Sequence, residues 1–186
     1  RLPAAGTAIL NADDERVARM GGHTPAGVLT YGLRGEVRMS SIVLDDLARP
    51  SFRVDSPWGG GQVRLAVSGA HMASNATAAI AVAGVITGSI DAALTALGEA
   101  TVSGMRMEVG RSGSGAVVVN DSYNANPDSM RAALDALAGI RADRRFAILG
   151  EMAELDDPAA AHAQVLAEAA ARGIEVVVSG TDLYGV

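Results

Sequence analysis

The chain has 186 residues, 49% of them hydrophobic, and a formal charge of −6 with a pI near 5.0. It can therefore bury the cores of one or two small domains, and it lacks the basic surface that nucleic acid requires. There is no cysteine, no signal-peptide pattern and no apolar run of membrane-span length, which together suit a cytoplasmic protein. Nor is there any lysine, since all 15 basic residues are arginine, and this excludes a P-loop. The chain starts at Arg1 without a methionine and reads as an excerpt of a longer protein.

Ala8-Ile9-Leu10 predicts a short strand, followed by a helix that Asp13 or Asp14 caps and Gly21-Gly22 stops. From Val28 to Ser68 the pattern is of short strands at 28–32, 36–39, 41–44, 51–54 and 62–67. In the last of these, Val63, Leu65 and Val67 alternate with Gln62, Arg64 and Ala66, as in a half-buried antiparallel strand. Gly59-Gly60-Gly61 is expected to turn the chain before it. Without a lysine or a following helix this run is not a phosphate loop, and Trp58 beside it reads as a packing or partly exposed residue.

A small-residue helix is predicted from Gly69 to about Thr87, with His71 and Asn75 four apart on one face, and a second helix from Ala92 to about Ala100. Strand alternation replaces helical periodicity at Thr101–Glu108, which sets a domain boundary between 1–104 and 105–186. The glycine-rich run 110–115 leads into a strand and so reads as a hairpin loop.

Val117-Val118-Val119 has the β-branched character of a strand covered on both faces. It runs into Asp121-Ser122-Tyr123-Asn124-Ala125-Asn126, which Pro127 closes into a helix with Asn126 as its cap. That helix extends to Ala138, buries Met130, Ala133, Leu134 and Leu137, and stops at Gly139. A buried strand at 145–150, a loop at 151–158, a helix at 159–172 and a strand at 174–179 follow, with His162 placed as a structural residue. The fold class is therefore α/β: a mixed sheet with antiparallel strands, then a partial Rossmann-like parallel βαβαβ domain.

Ligands of open parallel sheets bind at the carboxyl ends of strands. Asp121, Ser122, Tyr123, Asn124 and Asn126 put a carboxylate, two hydroxyls and two amides at one such end, and Glu151 stands at the next. Arg106, at the domain junction, reads from position alone as a linker arginine in solvent.

Asp121-Ser122-Tyr123-Asn124-Ala125-Asn126-Pro127-Asp128-Ser129-Met130 resembles the C-terminal-domain motif of the Mur ligases, in the branch that adds D-alanyl-D-alanine. Gly150-Glu151-Met152-Ala153-Glu154-Leu155 is similar to a second word of the family, Gly-x-Met-x-Glu-Leu-Gly, with Asp156 in place of the final glycine and able to take its left-handed backbone. Residues 69–79 resemble Gly-x-His-Asn-x-x-Asn-x-x-Ala-Ala, with Met72 replacing the first Asn, and residues 11–14 resemble Asn-x-Asp-Asp.

The resemblance implies the end of an ATP-binding central domain joined to the start of a Rossmann-like C-terminal domain. It implies a monomeric ligase that uses Mg-ATP to join D-alanyl-D-alanine to UDP-N-acetylmuramoyl-tripeptide through an acyl phosphate. It places His71, Asn75, Arg106, Asp121, Tyr123, Asn124 and Asn126 toward the nucleotide and Ser122 and Glu151 toward the substrate. The phosphate loop and the magnesium ligands of the family fall outside this stretch, so the 186 residues alone are expected to be inactive. Two other readings stay open: a folylpolyglutamate-synthase-like ligase, and a nucleotide-binding module without catalysis.

Overall fold

Strands whose apolar residues recur at every second position must pair side by side and bury one face. In the computed structural model, which describes residues 2–101 and 104–185, they do so in two compact units. Residues 2–45, 49–66 and 70–101 form one, and residues 46–48, 67–69 and 104–185 form the other.

The first unit is built on a five-stranded sheet, β1 (Thr7–Asn11), β2 (Gly27–Gly32), β3 (Val37–Leu44), β4 (Pro50–Ser56) and β5 (Gly59–Arg64), paired in that order. β1, β2 and β3 are parallel, whereas β3, β4 and β5 are antiparallel, so the mixed sheet is present as expected. Val37, Met39, Phe52, Val54 and Val63 are buried on this sheet. Against it lies α2 (His71–Thr87), which buries Ala73, Ala76, Thr77, Ile80, Ala81 and Gly84, and Gly88 ends that helix in a left-handed cap. Small residues let helix and sheet approach closely.

Local chemistry moves several boundaries. The segments 36–39 and 41–44 are one strand, irregular between Ser40 and Val43, where Ser41 takes φ 53°. The hairpin before β5 turns at Pro57–Trp58 and not at the glycines. Those glycines belong to β5, paired with Val54, Asp55 and Ser56 of β4, and the fit requires glycine at two of them: a Cβ on Gly60 would strike the Val54 carbonyl and one on Gly61 would strike Leu94 of α3 (Asp91–Glu99). Asp14 alone caps the short helix α1 (Glu15–Arg19), accepting from Arg16 N–H at 2.8 Å. Asp13 instead accepts from Leu33 N–H at 2.7 Å and pins the β2–β3 turn.

The second unit opens with a hairpin, β6 (Glu108–Arg111) and β7 (Val117–Asn120), antiparallel in register. Helix α4 (Pro127–Gly139), strand β8 (Phe146–Leu149), helix α5 (Pro158–Ala171) and strand β9 (Glu175–Val178) follow, and β8 and β9 pair in parallel. Leu134, Ala147, Leu149, Met152, Val165, Ala169, Ile174 and Tyr184 form the main core, and Ala48, Met107, Ala136 and Ile140 a smaller one. Of the strand expected at Thr101–Glu108, residues 102 and 103 lie outside the described residues, and only Glu108 enters a strand.

β7 pairs with β6 across the turn at 112–115, the hairpin that the glycine-rich run predicts, and the parallel pairing expected of this unit joins β8 and β9. One expectation is corrected here: the apolar strands are covered on one face only. Val118 is 50% exposed and Ile148 76%, while Ala147 and Leu149, which alternate with Ile148, are buried by the helices.

Trp58 packs over Gly84 of α2, where a Cβ would enter the indole ring. Gly84→Ala should therefore displace the chain's single tryptophan, shifting its emission to the red and lowering stability by about 1–2 kcal/mol. Unchanged emission would show that the helix shifts instead.

α4 and α5 are joined by an arginine network. Arg131 makes a bidentate pair with Glu168, 3.0 Å on each arm, and also reaches Asp128 at 2.8 Å, while Arg172 bonds Asp135 at 2.7 Å. The bonds from Arg131, then that from Gln164, hold the Glu168 carboxyl below its ordinary value of 4.5. A lowered carboxylate contributes stability that is complete above 4.5 and is lost as pH falls through the folded value. Glu168→Gln should lower the thermal midpoint by about 4 °C at pH 7 and flatten the loss of stability on acidification below 4.5, as read by thermal scans across pH.

Candidate functional site

At the carboxyl end of β7 the ladder stops, and the backbone groups there need other partners. Asn120 accepts from the Ser122 hydroxyl at 2.7 Å, which curls the chain as it leaves the strand. Asp121 Oδ1 accepts from Met107 N–H at 2.9 Å, and Tyr123 N–H donates to Met105 O at 3.1 Å. These two bonds lay residues 105–107 alongside 121–123. Met105 and Met107 both have left-handed backbones, φ 62° and 46°, a conformation that costs a non-glycine residue free energy and persists only where its surroundings hold it. Arg106, between them, is turned so that its guanidinium lies 4.1 Å from the centre of the Tyr123 ring.

Tyr123 is 58% exposed. The stack is a flat, cationic, solvent-facing surface with the Asp121 carboxylate two residues away. A guanidinium over a phenol gains cation–π attraction, and both groups keep a planar face for a further ring. Asn124 is exposed in the same loop. Asn126 is engaged as helix cap: its Oδ1 accepts from Ser129 N–H at 2.9 Å, and Ser129 Oγ accepts from Asn126 N–H at 3.0 Å in a full capping box. The structure thus groups Arg106, Asp121, Ser122, Tyr123, Asn124 and Asn126 around one strand end.

Glu151 is exposed at the carboxyl end of β8. Its loop is anchored by Met152, which is buried, and by Asp157, which caps α5 through Ala160 N–H at 3.1 Å. The left-handed residue of this loop is Glu154 at φ 59° and not Asp156, because the chain reverses two residues earlier than the family word implies. His71 and Asn75 belong to the other unit, at the start of α2, where Asn75 is exposed and its amide approaches Met72 Sδ at 3.6 Å.

Four contributors escaped the sequence reading. Met105 and Met107 carry no mark of a left-handed backbone in their residue type. Asn120, the last residue of β7, carries no mark of its bond to Ser122. Tyr184 lies 34 residues from Gly150, whose carbonyl accepts its hydroxyl at 2.9 Å. Burial pushes the Tyr184 phenol up from its ordinary value of 10.0, which keeps it a neutral donor. Among the described residues no group of three His, Asp or Glu is placed to hold a metal ion.

Residues 1–83 match the Mur ligase middle domain, and residues 105–183 match the domain described as Mur ligase, glutamate ligase domain. The chain is 45% identical over 170 residues to the UDP-N-acetylmuramoyl-tripeptide–D-alanyl-D-alanine ligase of Mycobacterium tuberculosis, covering 86% of this chain and 33% of that protein. It superposes on a crystal structure of MurF from Acinetobacter baumannii with TM-score 0.89 and 28% identity, over 97% of this chain and 40% of that one. A MurF ligase from Thermotoga maritima, solved in complex with ADP, shares the fold at TM-score 0.76 and 17% identity, over 94% of this chain and 44% of that one. The chain thus spans about a third of the length of the mycobacterial relative it matches. With both matching domains in order along it, the chain belongs to the Mur ligase family.

Proposed function

We propose that this chain is the part of an ATP-dependent peptide ligase that joins D-alanyl-D-alanine to UDP-N-acetylmuramoyl-tripeptide in peptidoglycan precursor synthesis. The observation that carries the reading is the 45% identity, over 170 residues, to a ligase named for that reaction. In this reading residues 1–104 end the central domain and residues 105–186 begin the C-terminal domain of a cytoplasmic, monomeric enzyme.

The terminal carboxylate of the tripeptide attacks the γ-phosphorus of ATP, ADP leaves, and an acyl phosphate forms. The amine of D-alanyl-D-alanine then attacks the acyl carbon, loses a proton, and inorganic phosphate departs. Most of the catalysis in such transfers is positioning and neutralisation of charge. The Arg106–Tyr123 stack suits the planar base of a nucleotide, and the Asp121 carboxylate suits ribose hydroxyls. Asn124, Asn126, His71 and Asn75 are assigned to the nucleotide side by the family words they occupy, and Ser122 and Glu151 to the substrate. Magnesium supplies charge neutralisation at the transferring phosphoryl group, and no residue described here is assigned to it. With no lysine in the chain to act on the phosphates, these residues alone are assigned no turnover.

The full-length protein should release ADP with UDP-N-acetylmuramoyl-tripeptide only when D-alanyl-D-alanine is the acceptor. Release driven by a single amino acid would move the protein to a sister ligase, and no release under any acceptor would leave a binding module.

The nucleotide surface has its own test. Tyr123→Ala removes the stacked ring and should raise the KM for ATP by about tenfold with a smaller effect on kcat. Asp121→Ala should raise it similarly and also lower stability by about 1 kcal/mol, because Met107 N–H loses its acceptor. An unchanged KM in both variants, measured at saturating tripeptide and dipeptide, would remove the nucleotide from this loop.

A further inference from the structure

Glu151 is flanked by two peptide groups, and each is bonded to a buried ring. On its N-terminal side, Gly150 O accepts from the Tyr184 hydroxyl at 2.9 Å. On its C-terminal side, Met152 N–H donates to His162 Nε2 at 2.9 Å. His162 is 0% exposed and Tyr184 3%, and their rings meet edge to face, 4.7 Å between centroids at 81°. Since Nε2 accepts, the imidazole proton is on Nδ1, which lies 2.6 Å from Pro158 O. Both ring nitrogens are therefore engaged, one to the loop and one to the first turn of α5.

Filling this volume needs only an apolar side chain, and an apolar residue would avoid the cost of burying a polar ring. What only this pair supplies is an acceptor and a donor at the two peptides bracketing one exposed acid. A residue whose preceding carbonyl and following amide are both held has its Cα–Cβ direction fixed, whatever the rest of the loop does. The remainder of the loop turns through Glu154 and reaches α5 at Asp157.

We propose that His162 and Tyr184 are positioning residues that together hold Glu151 at the carboxyl end of β8 for its work on the substrate. This rests on the reading of Glu151 as the substrate-facing acid of the ligase. Neither ring touches the reacting groups in this assignment: each acts through the backbone of the loop. Residues from α5 and from the segment after β9 thereby set the direction of a side chain that belongs to neither.

Two substitutions at His162 separate the bond from the packing. In His162→Gln the amide oxygen takes the place of Nε2 and still accepts from Met152 N–H. In His162→Asn the shorter amide still donates to Pro158 O, but it falls short of Met152. In the full-length protein, hydrogen exchange of the peptide carrying Met152 should speed about tenfold in His162→Asn and stay within about twofold of the unsubstituted protein in His162→Gln. The KM for UDP-N-acetylmuramoyl-tripeptide should follow the same order, rising about tenfold in His162→Asn and recovering in His162→Gln. If the effect runs through Glu151, the double variant Glu151→Gln/His162→Asn should have the KM of Glu151→Gln alone.

Equal behaviour of the Asn and Gln variants would overturn the proposal, and so would faster exchange in His162→Asn with an unchanged KM, or additive effects in the double variant. Should His162→Asn not fold, Tyr184→Phe removes only the bond to Gly150 and carries the same cycle with Glu151→Gln. Absence of turnover by the unsubstituted protein marks the failure of the ligase reading itself. Turnover with no response to either ring marks the failure of this proposal alone.

Discussion

A strand ends where its ladder ends, yet its last peptide groups still need partners, and this constraint shapes both loops of the second unit. At the end of β7 the partners are side chains and backbone of the junction, with Asp121 accepting from Met107 N–H and Tyr123 N–H donating to Met105 O. At the end of β8 they are two buried rings on later elements, through Met152 N–H to His162 and Gly150 O from Tyr184. In each case a polar group hidden from water is satisfied, and an exposed side chain, Arg106 or Glu151, is aimed as a result. The chemistry on the surface is set by hydrogen bonds beneath it.

The absence of lysine gives the charge network a particular character. Arginine presents a planar fork, so its pairs are geometric as well as electrostatic. Arg131 grips Glu168 with two arms, Arg144 grips Glu175 at 3.0 and 2.9 Å, and Arg53 grips Asp55 at 2.7 Å. Arginine also closes helix ends: Arg145 donates to Leu137 O and Ile140 O at the end of α4, and Arg172 donates to Glu168 O near the end of α5. Orphan carbonyls of a last turn attract such donors, and the helix dipole adds to the attraction. The same residue type therefore locks α4 to α5, caps them and, at Arg106, covers a tyrosine ring.

Much of the architecture could be read from spacing. The alternation around Val63, the small-residue run of α2, and Asn126-Pro127 before α4 each follow from a local rule, and each element formed where that rule put it, within a few residues. What local rules do not contain is pairing. The glycine-rich turn names β6 as one neighbour of Val117-Val118-Val119, but nothing in those residues says whether a second strand lies along their other edge. Exposure followed the same logic, since Val118 and Ile148 look like core residues until the covering layer is counted. Asp13 is a further case. As a cap its position was plausible, but its acceptor role is filled by Leu33 N–H, 20 residues on. For the candidate site, residue identities were legible and the polar loop stood out, while the means of holding it were not. Left-handed φ at Met105, Met107 and Glu154 is invisible in side-chain type, because glycine or asparagine is the usual marker.

Those three residues share a position relative to function. Each lies one to three residues from an exposed charged side chain at a strand end, and none is glycine. A left-handed methionine costs free energy that glycine would not, so something in the surroundings must hold it there. For Met107 the answer is double: its N–H is bonded to Asp121 and its side chain is 5% exposed in the smaller core with Ala48, Ala136 and Ile140. A glycine at that position would ease the backbone and leave the core short of a side chain. The methionine resolves the conflict by filling the core while its backbone turns Arg106 outward, and the cost is carried at a buried, hydrogen-bonded position. Packing, backbone strain and a surface cation are thus coupled through one residue.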